Sequence, residues 1–567
     1  MTRRTRLLAG AAALVALGGA GLTAAQAAPF GFANDRSAEL AGQINPAKPR
    51  NVILIIGDGT DDSIITAARN YELGAAGRFA LDELPFTGEM TTYGLKTAPD
   101  GSRYPINYVS DSAPTASGWS TGKKTVDGRI SQGPSSADTV AGVDYDTVLE
   151  IYKRQGKRTG NVSTAEITDA TPAAAASHIN ARACQGPANM ATCPSALKAA
   201  GGKGSIAEQL VDNKVDVLLG GGAQRYAQTL PSGGTVLDYA TTTRGYQTVS
   251  DKAGLAAVTS VTSKPVLGLF ATGNMTPRYQ PLPVASPAGA GDANTTCQVA
   301  NRGNQPTLSE MTSKAISLLD NPNGFFLQVE SAMIDKQEHA ADVCGAIGDV
   351  AEMDDTLKVA QAYQKTHPDT LIIVTGDHAH STQIVPNSTS AGRATTTIKT
   401  KDGDPMTIAY STADTTAAGG FSMTHTGSQI RVAASGPQAA NITGTIDQTD
   451  LFATLLGRTP STMPTTTTPA PAAKPVAAVA AQPRVSRVQL RRGVVVDVAA
   501  SGATTVTVTI TGKRVLKTVT VPAAGGSVKV KLKAKQLKQV KRSVTVTVTA
   551  TGAGGTTSST TKIKTTR

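Results

Sequence analysis

Three short stretches decide the fold: residues 51–59 read NVILIIGDG, residues 324–331 read GFFLQVES and residues 370–378 read TLIIVTGDH. Each is an apolar, β-prone run of strand length closed by glycine or an acid. A strand that is apolar throughout is buried on both faces, which implies a parallel sheet covered by helices. Stretches of helical period, such as SIAEQLVDN (205–213) and LSEMTSKAISLLDN (308–321), lie between such runs. The sequence therefore predicts an α/β body, a central mostly parallel sheet flanked by helices.

The residues that close these strands carry the first sign of chemistry. In an open α/β sheet ligands bind beyond the carboxyl ends of the strands, and here those ends carry Asp58, Glu330 and the pair Asp377-His378. One acid after a strand is usually a helix cap or a turn residue. Three such ends, one with an adjoining imidazole, point instead to a shared cation. Asp335 and His339 in SAMIDKQEHAA stand at i and i+4, one face of a helix, and His425 opens the polar loop HTGS. Imidazole with carboxylate is a zinc-type set, whereas Glu330 and Asp58 with a hydroxyl suit magnesium. In NYVSDSAPTASGWSTGKKT (107–125), Ser112 precedes a small-residue segment and is expected at a helix N-terminus, where free N–H groups favour an anion. No Gly-x-Ser-x-Gly elbow surrounds it, which disfavours a serine hydrolase triad. A metal-assisted serine needs no histidine base.

Composition limits the remaining possibilities. The chain has 567 residues with 54 Lys and Arg against 42 Asp and Glu, and aromatic residues make up 4%. Residues 459–567 hold 18 of the basic residues and one acid, Asp497, a net +17; the rest holds 36 basic against 41 acidic residues. The basicity thus belongs to the tail, and with few stacking platforms no specific nucleic-acid partner is expected.

At the N-terminus, residues 1–27 have the pattern of a signal peptide: Arg3, Arg4 and Arg6, an Ala/Leu/Val/Gly run, then Ala25-Gln26-Ala27. Arg3-Arg4 suits twin-arginine export, but no Phe follows at the usual place, so the route stays open. The expectation is a secreted protein, extracellular or periplasmic, with no transmembrane segment in its mature form. In an oxidising compartment the four cysteines should pair. Three pairings exist in principle; the simplest closes Cys184 with Cys193 and leaves Cys297 with Cys344. A zinc site of four thiolates would need Cys-x-x-Cys knuckles, and there are none.

The expected organisation is a signal peptide at 1–27, an N-terminal arm at 28–46, a catalytic body at 47–458, a Pro/Thr/Ala-rich linker at 459–483 and a basic β-sandwich of immunoglobulin-like class at 484–567. The sandwich rests on period-two alternation in TTVTVTI, SVKVKLK and SVTVTVT, which puts Val506, Val508 and Ile510 on one face and Thr505, Thr507 and Thr509 on the other. The segment before Cys297 and the stretch 390–424 read as irregular. The solvated face of a sandwich accounts for the tail's lysines; the functional reading is attachment to an anionic cell-envelope polymer, with the enzyme held at the wall.

Seven blocks in order then resemble the bacterial alkaline phosphatases of the enteric type: IGDGTDDSIITAARNY, YVSDSAPTASGWSTG, GNVSTAEITDATPAA, GFFLQVESAMIDKQEHAADVCG, IIVTGDHAHSTQI, HTGSQIRVAASGP and IDQTDLFATLL. They span about residues 45–457 and leave the tail uncovered. The resemblance implies a homodimer that hydrolyses phosphate monoesters through a phosphoserine on Ser112, with two Zn2+ and one Mg2+ per subunit. It implies that Asp335, His339 and His425 hold one zinc and Asp58, Asp377 and His378 the other. Asp58, Thr171 and Glu330 would hold the magnesium, with Asp169 reaching it through water. Arg182 would clamp phosphate, Asp111 would orient Arg182, and Lys336 would touch phosphate through water. Pro114 and Gly118 depart from the family pattern in the nucleophile segment, and no ligand position is lost. Two alternatives compete: a phosphodiesterase or sulfatase of the same superfamily, which Arg182 with Asp169, Thr171 and Glu330 argues against, and an inactive surface-binding relic, which the filled catalytic positions argue against.

Overall fold

The structure, a computed structural model, describes residues 36–98, 103–284, 289–387, 394–417, 420–458, 475–501, 503–523, 525–552 and 555–566. The expected signal peptide, residues 28–35 of the arm and residues 459–474 of the linker lie outside the described residues. The chain forms two compact units that divide between Pro460 and Ser461.

The first unit is built on a ten-stranded sheet. Its centre is Asn51–Gly57, paired in parallel with Phe325–Ser331 on one side and Thr370–Gly376 on the other. Arg158–Glu166, Val217–Gly221, Val266–Leu269 and Gln247–Val249 extend it in parallel on the Phe325 side. On the Thr370 side Ile430–Ser435 is antiparallel to both its neighbours, Thr370–Gly376 and Phe86–Thr91, and Gly444–Asp447 closes the edge.

The central strand is apolar throughout because both its faces are covered. Ile53 and Ile55 pack in one core with Ile347, Val350 and Leu357 of the long helix Val343–Thr366. Val52, Leu54 and Ile56 pack in a second core with Trp119, Leu149 and Tyr152. All five strand residues have no exposed surface. Each such side chain contributes about 1.5–3 kcal/mol by leaving water. That packing fixes the strand ends, and with them the site.

The stretch 390–424, expected to be irregular, contains ordered strands. Thr395–Lys399 and Pro405–Tyr410 pair antiparallel, with Thr382–Val385 and Ala290–Gly291 at the edges. Ile398 and Ile408 are fully buried. The β-branched Thr and Ile residues find a half-buried surface there that their sequence neighbours do not announce.

The second unit contains two sheets around one apolar core that includes Val496, Val508, Ile510, Val546 and Ile563. Val506, Val508 and Ile510 face that core, and their intervening threonines do not. Among the described residues its first strand is Val476–Ala481, antiparallel to Val494–Ser501, so regular structure is present before the expected boundary at 484. An Ala/Val run looks like linker by composition, but its backbone N–H and C=O groups are satisfied by a partner strand. Among the described residues, no helix is long and apolar enough to cross a membrane.

Candidate metal-assisted active site

Strand register assembles the site. Gly57 pairs with Gly376 and Ile56 with Glu330, so Asp58, Asp377 and Glu330 leave the sheet at neighbouring carboxyl ends. The turn after Asp58 requires glycine. Gly59 has φ +70°, and a Cβ there would lie 2.7 Å from the His380 ring. With that turn in place Gly59 N–H donates to Asp377 Oδ1 at 2.8 Å.

Ser112 is the first residue of the helix Ser112–Thr121, capped by Asp111, whose Oδ1 accepts from Ala113 N–H at 2.6 Å. The serine is buried; its Oγ lies 3.3 Å from His378 Nε2 and 3.4 Å from Asp58 Oδ1. His378 Nε2 is also 3.3 Å from Asp377 Oδ2. The hydroxyl, both carboxylates and the imidazole thus converge, although they come from three separate parts of the chain.

Among the described residues, two groups of imidazole and carboxylate donors have ligand atoms within 4.8 Å of one another: Asp335, His339, His380 and His425, and Asp58, Asp335 and His378. The first contains the three residues expected together. The second shares Asp335 with the first, and Asp377 borders it through His378.

The chemistry of these donors fits a cation. His339 Nδ1 faces Met423 C=O at 2.6 Å and His425 Nδ1 faces Ser110 C=O at 3.0 Å. Each Nδ1 must carry a proton to donate to its carbonyl, so in the neutral ring each Nε2 is a bare lone pair. Those two Nε2 atoms lie 3.0 Å apart, and Asp335 Oδ1 is 3.3 Å from one and 3.4 Å from the other. Three acceptors turned toward one point repel unless a positive charge joins them.

The carboxylates tell the same story. Burial, then the charge of Asp335, pushes Asp58 up to about 7. Burial, then the charge of Asp58, raises both Glu330 and Asp377 well above the ordinary carboxylate range. So many acids cannot ionise together in one dry pocket without a cation. Glu330 Oε2 accepts from Ser163 Oγ, and the Thr171 hydroxyl is buried without a hydrogen-bond partner, as a group aimed at an ion would be.

Asp169 has a role the sequence did not reveal. Its Oδ1 accepts from Arg182 Nη2 at 2.8 Å and its Oδ2 lies 2.9 Å from Lys336 Nζ. One carboxylate therefore tethers both candidate phosphate-binding cations. Burial alone would raise Asp169, but Lys336 and Arg182 hold it below its usual value. Asp111 Oδ1 stands 3.5 Å from Arg182 Nη1, while Asp111 Oδ2 accepts from Gly128 N–H at 2.7 Å. The guanidinium is thus aligned from two sides.

His380 and Ser163 were not singled out from the sequence. His380 Nε2 is 2.7 Å from Asp335 Oδ1 and orients that carboxylate. The one available signal was the spacing in Asp-His-Ala-His, which places two imidazoles two residues apart. Both disulfides join the pairs expected from spacing, Cys184 with Cys193 and Cys297 with Cys344.

A buried pair, His178 with Glu150, makes stability depend on pH. His178 Nε2 meets Glu150 Oε1 at 2.9 Å and its Nδ1 meets Ser131 C=O at 3.0 Å, so both ring nitrogens face acceptors. Burial lowers the pKa of His178, but the hydrogen bond and charge of Glu150 outweigh it and the net shift is upward; Lys203 acts weakly against that shift. Glu150, which also accepts from Asn213, is held down to about 2 by His178 against the effect of burial. A raised histidine pKa contributes stability that is complete below the unfolded value, about 6.5, and is lost as pH climbs through the folded value. The thermal midpoint of His178→Gln should therefore fall furthest below wild type near pH 6, with the gap narrowing as pH rises on the alkaline side. A gap that widens with pH would contradict the charged assignment.

Known proteins resemble this chain in sequence and in fold. The sequence profile of the family described as alkaline phosphatase matches residues 49–422. An alkaline phosphatase of Escherichia fergusonii is 47% identical over 439 residues, which cover 75% of this chain and 89% of that protein. A streptomycin-6-phosphate phosphatase of Streptomyces griseus is 43% identical over 426 residues, 72% of this chain and 90% of that protein. The fold is also that of the alkaline phosphatase of Thermus thermophilus, with a TM-score of 0.52 at 20% identity, covering 76% of this chain and 95% of that one.

Proposed function

The chain belongs to the alkaline phosphatase family and is a metal-dependent phosphomonoesterase, and from that premise we infer that Ser112 is its nucleophile and Arg182 its phosphate clamp. The observation that carries this reading is the position of Ser112 Oγ, 3.3 Å from His378 Nε2 and 3.4 Å from Asp58 Oδ1 at the start of a capped helix.

Ser112 Oγ gives up its proton to water and attacks phosphorus in line with the ester oxygen; the Ser–O–P bond forms as the bond to the leaving oxygen breaks, and that oxygen takes a proton from water to depart as the alcohol. Water then attacks the phosphoserine, the Ser–O–P bond breaks and inorganic phosphate leaves. Asp335, His339 and His425 would hold one zinc, Asp58, Asp377 and His378 the second, and Asp58, Thr171 and Glu330 a magnesium, with Asp169 reaching it through water. When bound, the three cations supply Lewis acidity, which lowers the pKa of hydroxyl and water and balances the phosphoryl charge. Arg182 offers its planar fork to two phosphate oxygens, exchanging its contact with Asp169 for the substrate while Asp111 keeps the guanidinium aligned. Lys336 adds a point charge beside the same oxygens, through water. The N–H groups at the start of the Ser112 helix face the same anion. Export, a homodimer and placement at the cell envelope belong to the same reading.

A clamp on two non-bridging oxygens favours monoesters, because a diester has only one formal negative charge to share between them. Turnover of p-nitrophenyl phosphate should therefore exceed that of bis-p-nitrophenyl phosphate, and Arg182→Ala should lower monoester kcat/KM by about a hundredfold, the loss expected for a charge-assisted pair. Faster diester turnover would overturn the assignment.

A further inference from the structure

The C-terminal unit has a cleft of about 620 Å³ that phosphate-ester hydrolysis does not use. Arg487, Lys513, Lys541 and Arg542 line it, together with the hydroxyl residues Ser543 and Thr565. These come from the start of the helix Arg487–Arg492, the turn after the strand Thr505–Thr511, the segment entering the strand Ser543–Gly552 with its first residue, and the end of the strand Gly555–Thr566. The backbone beneath them is held in place. Arg487 Nη2 donates to Val540 C=O at 2.8 Å, Thr565 N–H donates to Arg542 C=O at 2.9 Å, and Thr565 Oγ1 donates to Lys541 C=O at 3.1 Å.

Among the described residues, none that lines this cleft is Asp or Glu. The one acidic side chain of residues 459–567, Asp497, lies in the strand Val494–Ser501 of the other sheet and accepts from Ser527. On the broad outer face of the five-stranded sheet, in contrast, threonines and serines pair across strands, Thr507 with Thr549 and Thr549 with Ser558. Four cations thus gather in a concave site beside a face that is largely hydroxyl. A concave surface of one sign concentrates field and attracts the opposite charge.

The composition narrows the partner. Residues 459–567 contain no Phe, Tyr or Trp. The unit therefore has no platform on which bases could stack and no aromatic anchor for a membrane interface. What remains are two guanidinium and two ammonium groups, which make charge-assisted hydrogen bonds to oxyanions. We propose that this cleft binds a linear phosphodiester-linked polyol polymer of the cell envelope, whose repeated single charges can meet several of these cations at once. The signal-peptide pattern of residues 1–27 would deliver the chain to where such polymers lie.

The test uses the full-length enzyme and immobilised poly(glycerol phosphate) at about 0.15 M salt, where long-range attraction is screened. The variant K513E/K541E/R542E should bind about a hundredfold more weakly than wild type, and K529E/K531E/K535E, with the same change of charge elsewhere on the unit, within about threefold of it. Both variants should keep wild-type turnover of p-nitrophenyl phosphate and a wild-type thermal midpoint, which separates a failure of this proposal from a failure of the phosphatase reading. Equal losses in the two variants would overturn the cleft in favour of diffuse charge. No retention of wild type, or tighter binding to duplex DNA or to phosphatidylglycerol vesicles than to the polymer, would overturn the polymer.

Discussion

Ser112→Ala should lower turnover of p-nitrophenyl phosphate by about a thousandfold or more, the scale on which loss of a covalent nucleophile is felt. The fold should survive. Ser112 Oγ makes only long contacts, 3.3 and 3.4 Å, and the helix cap resides in Asp111 rather than in the serine. Acid quenching of wild type with labelled substrate should trap phosphate on the protein, and the alanine variant should trap none. Activity within tenfold of wild type, with an unchanged metal content, would remove Ser112 from the reaction.

Chelation should have an effect of similar size by another route. Without cations, the Nε2 atoms of His339 and His425 face each other at 3.0 Å with the carboxylate of Asp335 beside them. Their mutual repulsion should make the stripped protein both inactive and less stable. Ligand binding at about a thousandfold above Kd stabilises a fold by about 4 kcal/mol. The thermal midpoint should therefore fall on chelation and return with zinc and magnesium, and elemental analysis should give two zinc and one magnesium per chain. Asp335→Asn should keep the fold and lose zinc, because Asp335 belongs to both donor groups. Full activity in zinc-free protein would defeat the assignment.

How far the sequence could be read depended on how local each feature is. The strands were legible because an unbroken apolar run such as Val52–Ile56 has few places to be except inside a sheet. Asp58, Glu330 and Asp377 were legible because they follow such runs directly, and Ser112 because a capped small-residue segment announces a helix start. His380 was not, since its partner Asp335 lies on another element and only side-chain geometry brings them to 2.7 Å. Asp169 read as a distant magnesium neighbour, yet it tethers Arg182 and Lys336 directly. Val476–Ala481 read as linker because alanine carries little strand preference of its own; pairing with Val494–Ser501 makes it a strand.

The sequence by itself determined the layered α/β body, the basic second unit and the kinds of donor available for a metal, because hydrophobic period, charge balance and strand-closing residues are local properties of a chain. The tertiary structure alone decided which donors meet. Parallel register sets Gly57 beside Gly376, a left-handed glycine turns the loop after Asp58, and two backbone carbonyls fix which imidazole nitrogens are bare. Distances of about 3 Å between groups hundreds of residues apart follow from packing and hydrogen bonding across elements, and no window of sequence contains them.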